Sequence, residues 1–364
     1  MQYLLRFMLS FLVVISHFWS SLLPGGDGSL AVMGFYVISG YVITLVWSKT
    51  YGNAPNGFKR FWLNRFVRLY PTFLASSVIG FLAIYFYPEA ARAINRWMEL
   101  PWSPEGLKRI AEAGIDPSYW WAILIPQITL VGYQAPAFWG VPITFSPNAW
   151  SVNMELYFYL AFSFGLTATF FRARRFFQAA FLVTSTYFLA LCIAGHQLLS
   201  TDMMAPYIAI NYHQIFYKTP VGIAFFFSLG ALVYYFPKKA YPNVFKVSAF
   251  ILLFAIPLVP VPTPIPVISR LLAFGILCAI TLLLWPDTKP KGILKLLGDL
   301  SYPLFLLHWP VGVFVSGLTG LEKNSAAFFI FAMPASLSAS VLAVYFLERP
   351  LEAHREKIRP KTET

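Results

Sequence analysis

What limits this chain first is a series of apolar runs, each long enough to cross a bilayer. They occupy about 3–23, 29–48, 69–87, 149–171, 176–199, 219–236, 244–260, 266–285, 297–318 and 325–347. A spanning helix needs roughly 20 mainly apolar residues. Lipid forces every backbone polar group to be satisfied internally, which leaves helices or closed barrels. Barrel strands alternate over about 10 residues, whereas these runs are continuous. Hydrophobic residues make up 58% of the chain and charged residues only 12%, about half the usual charged share of a soluble domain. The expected fold class is therefore all-α: a polytopic membrane protein with about ten transmembrane helices. A shorter run at 119–133, "YWWAILIPQITLVGY", contains Pro126 and is expected to be a short interfacial or re-entrant segment.

The net charge is +12, which raises nucleic acid as a partner. Placement argues against it. With ten spans and both termini cytoplasmic, the inner loops collect Lys49, Lys59, Arg60, Arg65, Arg68, Arg172, Arg174, Arg175, Lys238, Lys239, Lys246, Lys289, Lys291 and Lys295. The tail adds Arg349, Arg355, Lys357, Arg359 and Lys361, while Arg92, Arg96, Lys108, Arg109, Lys218 and Lys323 fall outside. This asymmetry follows the positive-inside rule, and an eleventh full span at 119–133 would invert it. The charge reads as topology, scattered over short loops rather than gathered as a nucleic-acid footprint. The bilayer itself is the expected partner, in a bacterial-type inner membrane.

The expected organisation is one membrane domain over 1–350 and a short, charged, solvated cytoplasmic tail at 351–364. The first run reads as a retained span, because no small-residue cleavage site follows it and an h-region would not carry His17. Cys192 and Cys278 sit in apolar runs and read as small core residues. The outer segment 88–148 is rich in Pro and Trp, which suits the membrane interface first and sugar stacking second.

Ionisable residues inside spans are costly and face a bundle interior or a watery cavity. Arg6 and His17 are eleven residues apart, so at about 100° per residue they share one helix face, roughly 16 Å apart along the axis. Arg65 and Arg68 form an i, i+3 pair ahead of the third run and can fork onto phosphate oxygens. Glu155 lies inside the run that opens "NAWSVNMELYFY" (148–159) and could orient an imidazole, bind a hydroxyl or pair with an arginine. "GDLSYPLFLLHWP" (298–310) places Asp299, Ser301, Tyr302 and His308 in or beside the bundle, and Ser39–Gly40 reads as a site of close helix packing.

Taken together, these pieces resemble membrane acyltransferase family 3, the O-antigen and exopolysaccharide O-acetylases. The resemblance rests on Arg6 and His17 with ten residues between them, "RFVR" at 65–68, "FYVISGY" at 35–41, "WSVNMELYFY" at 150–159, "SYPLFLLH" at 301–308 and "ERP" at 348–350. It runs from residue 3 to about 350. Met33 stands where many members carry an acid and Ala31 where they carry glycine; Asp27 is a candidate for the displaced acid.

The resemblance implies an O-acyltransferase that takes acetyl-CoA or another acyl-CoA from the cytoplasm and acylates a carbohydrate or glycolipid hydroxyl. It implies catalytic roles for His17 and Glu155 and donor binding by Arg6, Arg65 and Arg68. Trp150, Ser151, Tyr302 and His308 become candidates for substrate binding, and no metal is expected. A histidine can accept the hydroxyl's proton or carry the acyl group itself. The rival from another class is a polysaccharide transporter or lipid-linked sugar flippase, since buried Arg, His and Glu also suit proton-coupled transport. The absence of visible inverted repeats counts against that rival.

Overall fold

The computed structural model describes residues 2–24, 28–133, 143–163, 170–199, 220–237, 239, 241–260, 267–285 and 291–360. Asp27, Lys238, Lys289, the stretch 134–142 and the side chain of Cys192 lie outside the described residues. Among the described residues every regular element is helical. The helices are α1 (Gln2–Phe18), α2 (Gly28–Val46), α3 (Gly57–Phe86), α4 (Pro88–Ile94), α5 (Pro104–Glu112), α6 (Trp120–Thr129) and α7 (Ala149–Ser163). They continue as α8 (Phe170–Leu199), α9 (Pro220–Tyr235), α10 (Asn243–Ala255), α11 (Val267–Leu284), α12 (Ile293–Thr319), α13 (Ala326–Ala343) and α14 (Arg349–Ile358).

Each expected run carries a helix. Among the described residues, four helical segments are long and apolar enough to cross a membrane, so a count of ten is not confirmed: Gly28–Tyr51, Gly57–Phe86, Ile293–Thr319 and Ala326–Ile358. Others are shorter; α1 has 17 residues, about 26 Å of helix against a hydrocarbon core of about 30 Å. Helix α6 has ten residues, contains Pro126 and stops at Leu130 with φ of 63°. At about 15 Å it is half a span.

The bundle is centred on α1, α2 and α12. Helix α12 packs against α1, α3 and α13, and α2 packs against α1, α9 and α11. Two glycines set the α2–α9 crossing. A Cβ on Gly40 would lie 2.0 Å from the Phe227 carbonyl oxygen, and one on Gly230 would lie 1.8 Å from that of Val37. The small residue at 40 therefore permits close packing, as its position predicts. Cys278 is fully buried, its Sγ 3.7 Å from the Gly34 carbonyl.

Two local departures bear on the site. Helix α3 starts at Gly57, well ahead of the third apolar run, and Pro71 sits inside it. Arg65 and Arg68 are thus part of one continuous helix. Within the expected solvated tail at 351–364, the described residues up to Ile358 are helical and two of them are buried. A π-helical turn at Val344–Glu348 leads into α14, which folds back on α3 and buries Arg355 and Ile358. Asn64 Nδ2 donates to the Arg355 carbonyl at 3.0 Å and pins it there.

Candidate functional site

The shared face of α1 meets two groups of polar side chains, one at each end. At the His17 end the partner is His308 of α12, fully buried, with His17 Nδ1 2.9 Å from His308 Nε2. The rings lie nearly parallel, 5.1 Å apart at 10°. His308 Nδ1 is 3.0 Å from the carbonyl oxygen of Leu304, one turn back. A carbonyl can only accept, so in the neutral pair His308 carries its proton on Nδ1 and Nε2 holds a lone pair. His17 must then donate from Nδ1, which leaves the lone pair of His17 on Nε2. The network fixes both tautomers without a carboxylate.

Asn148 supports the pair. Its Nδ2 donates to the Phe305 carbonyl at 2.8 Å and lies 3.3 Å from His308 Nε2, while its Oδ1 accepts from Trp309 Nε1 at 3.0 Å. Phe18 meets the His308 ring edge-on at 5.6 Å, and Trp309 packs 4.4 Å from the His17 ring. Pro310 has no N–H to give Leu306, one turn back. Ser76 Oγ donates to that carbonyl instead at 2.8 Å. The free side of His17 looks at the start of α2: a Cβ on Gly28 would lie 3.7 Å from His17 Nε2 and 2.6 Å from Ser16 Oγ. Glycine therefore keeps the lone pair accessible. Lys323, in the loop before α13, is the charged residue facing His17. Its Nζ donates to the Ile94 carbonyl at 3.0 Å, and partial burial lowers its pKa.

The second group surrounds a cavity whose lining includes Arg6, Arg65, Arg68, Ser39, Glu155 and Tyr302. Glu155 Oε1 accepts from Ser39 Oγ at 2.9 Å and from Tyr159 OH at 2.8 Å. None of the three guanidinium groups forms an ion pair among the described residues. Arg65 is 8% exposed and its Nε lacks a hydrogen-bond partner; its Cζ lies 5.5 Å from the Phe61 ring centre. Arg65 is buried and Arg6 and Arg68 are partly so; Glu155 is the carboxylate of this lining, and Glu348 acts on Arg68 from outside it, so the lining itself carries an excess of cations that suits an anion. The space open to the centre of a water-sized sphere is about 70 Å³, room for about five waters at roughly 10–15 Å³ each.

Helical spacing links the two groups. Phe305 lines the cavity and sits one turn from His308 on α12; Val32 and Phe35 line it one to two turns from Gly28 on α2. The rings of Phe35 and Phe305 touch edge-on at 5.5 Å and close the cavity toward the histidines.

The candidates read from the sequence thus divide. Arg6, Arg65 and Arg68 come together with Glu155, Ser151 and Tyr302. His17 comes together with His308. Glu155 is bonded to Ser39 and Tyr159, about two helical turns along α7 from Asn148, the residue that lies against His308. Ser151 Oγ donates to the Asn148 carbonyl at 2.9 Å and Tyr302 OH to that of Leu69 at 2.8 Å. Trp150 is partly buried against the apolar core. Asn148, Gly28, Ser39 and Tyr159 were not singled out for the site. The spacing of Asn148, Ser151, Glu155 and Tyr159 along α7 was the available signal, since three- and four-residue steps mark one helix face.

A family model described as an acyltransferase domain matches residues 4–345. Nothing among curated proteins or solved structures matches the chain.

Proposed function

The chain belongs to acyltransferase family 3, and from that premise we propose that it moves an acetyl or similar acyl group from cytoplasmic acyl-CoA to a hydroxyl of a carbohydrate or glycolipid. The observation that carries this reading is the free Nε2 lone pair of His17, held by a neutral histidine partner one bundle layer from an arginine-lined slot. The distribution of Lys and Arg over the loops supports an inner-membrane orientation with both termini cytoplasmic, which turns the arginine end toward the CoA pool.

In this reading the phosphates of the donor lie at the arginine end and its thin thioester arm enters the slot. The acceptor approaches from the Gly28 side. His17 Nε2 removes the hydroxyl proton as that oxygen attacks the thioester carbonyl. The resulting imidazolium still donates from Nδ1 to His308, so its charge is shared with a ring whose other proton is tied to Leu304. The tetrahedral centre collapses, the C–S bond breaks, and His17 returns the proton to the thiolate. Net products are the acyl ester and free CoA thiol. The same lone pair would be the nucleophile in a two-step route through acyl-His17; double-displacement kinetics favour that route and ternary-complex kinetics exclude it. Glu155 acts on this view within the donor slot, holding Ser39 and Tyr159 against the arginines.

The test is mass spectrometry of surface glycans in a deletion strain complemented with wild type or His17→Ala at matched membrane expression. Restoration of an acyl mass increment by wild type alone supports the proposal and identifies the acyl group. Equal restoration by both removes His17 from the chemistry. A change in glycan export without a change in acylation favours the transporter reading.

A further inference from the structure

Helix α14 and the residue after it bring more positive charge to the arginine end of the bundle. Arg355 is 7% exposed, and its Nη1 donates to Glu352 Oε2. Its Nε has no hydrogen-bond partner. The other cations around its guanidinium are Arg68, Arg65 and Arg359, and Glu348 is a second carboxylate within reach of Arg355 and Arg68. Arg359 Nη2 donates to Glu352 Oε1 at 3.2 Å, so one carboxylate serves two arginines. Tyr51, 2% exposed, faces the same cluster: Arg65, Arg355 and Arg359 are the charges that reach its phenol, and its hydroxyl lies beside Arg359 without a hydrogen bond of good geometry. Arg65 Nε is likewise a buried donor without a partner.

Buried polar atoms are almost always satisfied, so several orphans in one cluster of cations point to a missing multivalent anion. Arginine forks match phosphate oxygens in particular. The position of Tyr51 is built in: a side chain at Gly57 would lie 1.9 Å from the Tyr51 carbonyl oxygen, so glycine lets α3 start against it. Arg355 and Arg359 lie beyond residue 345, where the family match ends.

We propose that the C-terminal helix completes a phosphate-binding cluster, in which Arg355 and Arg359 join Arg65, Arg68 and the Tyr51 hydroxyl around the phosphate groups of the donor. This rests on the acyl-CoA reading above. It makes the C-terminal helix a part of donor recognition.

The experiment uses the full chain in nanodiscs and titrates three probes: coenzyme A, inorganic pyrophosphate and a phosphate-free S-acyl pantetheine. Arg355→Ala is expected to weaken coenzyme A and pyrophosphate binding about tenfold or more, as loss of a charged hydrogen bond does, and to leave the phosphate-free probe unchanged. Arg355→Lys and the more exposed Arg359→Ala guard against misfolding and are expected to weaken both phosphate probes severalfold. Wild-type coenzyme A affinity in Arg355→Lys and Arg359→Ala overturns the cluster and leaves the donor reading standing. Pyrophosphate binding that needs Arg355, without coenzyme A binding, keeps the cluster and removes the donor reading. If the variants lose only their response to phosphatidylglycerol in the nanodisc, the phosphate is a lipid headgroup and the donor assignment is overturned.

Discussion

Replacing His308 probes the central geometry directly. In His308→Ala the Nδ1–H of His17 loses its acceptor, 2.9 Å away, in a setting closed by Phe18 and Trp309. An unsatisfied buried donor costs about 1–3 kcal/mol. The ring also gains freedom to flip or change tautomer, moving its lone pair away from the acceptor side. At about 1.4 kcal/mol per tenfold, turnover should fall roughly 5- to 150-fold. The arginine slot is a separate group, so KM for the acyl donor should stay near wild type. His308→Gln keeps an amide oxygen that can accept from His17 and should recover part of the loss. The assay is release of free thiol from acyl-CoA by purified protein in nanodiscs with a sugar acceptor. Turnover of His308→Ala within about twofold of wild type would refute the tautomer argument. So would a loss confined to donor KM.

Three further outcomes follow from close contacts. Gly28→Ala places a methyl against His17 Nε2 and collides with Ser16 Oγ; combined with Ser16→Ala to relieve the collision, it should still lose tenfold or more in turnover while unfolding at the wild-type temperature. Gly40→Ala drives a methyl into the Phe227 carbonyl and should cost about 3 kcal/mol or more, at or beyond the upper end of usual overpacking penalties, read as a drop in thermal midpoint. Glu99 is 1% exposed and accepts from Arg92 Nη1, Ser103 Oγ and the Leu100 N–H; Glu99→Ala should loosen the α4–α5 region by about 2–3 kcal/mol, seen as faster proteolytic nicking between residues 88 and 133.

Local periodicity made part of this molecule legible. The eleven-residue spacing put Arg6 and His17 on one face, and continuous apolar runs gave an all-helical chain. Partners distant in sequence were not legible: His17 and His308 are 291 residues apart, and nothing in either helix announces that their rings meet. The sequence left Glu155 free to orient an imidazole, bind a hydroxyl or pair with an arginine; its bonds to Ser39 and Tyr159 depend on how α7 sits against α2, which no local pattern reveals. A count of about ten spans is not confirmed among the described residues, since an apolar run fixes composition and not helix length. The charged end of the chain read as solvated because lysines and glutamates dominate it. A single asparagine, Asn64, and the buried face of Arg355 hold it to α3 instead.

The side-chain bonds received by α12 also decide how the protein can move. Ser10 donates to the Ser301 carbonyl, Ser76 to Leu306, Asn148 to Phe305, and Tyr302 returns a bond to Leu69. These rivets join α1, α3, α7 and α12 into one stiff block. Helix α2 meets α9 through close-packed glycines and apolar surface, and the hydroxyls of Ser39 and Tyr36 link it to the block. Sliding across the rivets is expensive. Val32, Phe35 and Ser39 line the slot from α2, so a displacement of that helix would widen the slot and leave the bonds around the imidazole pair in place.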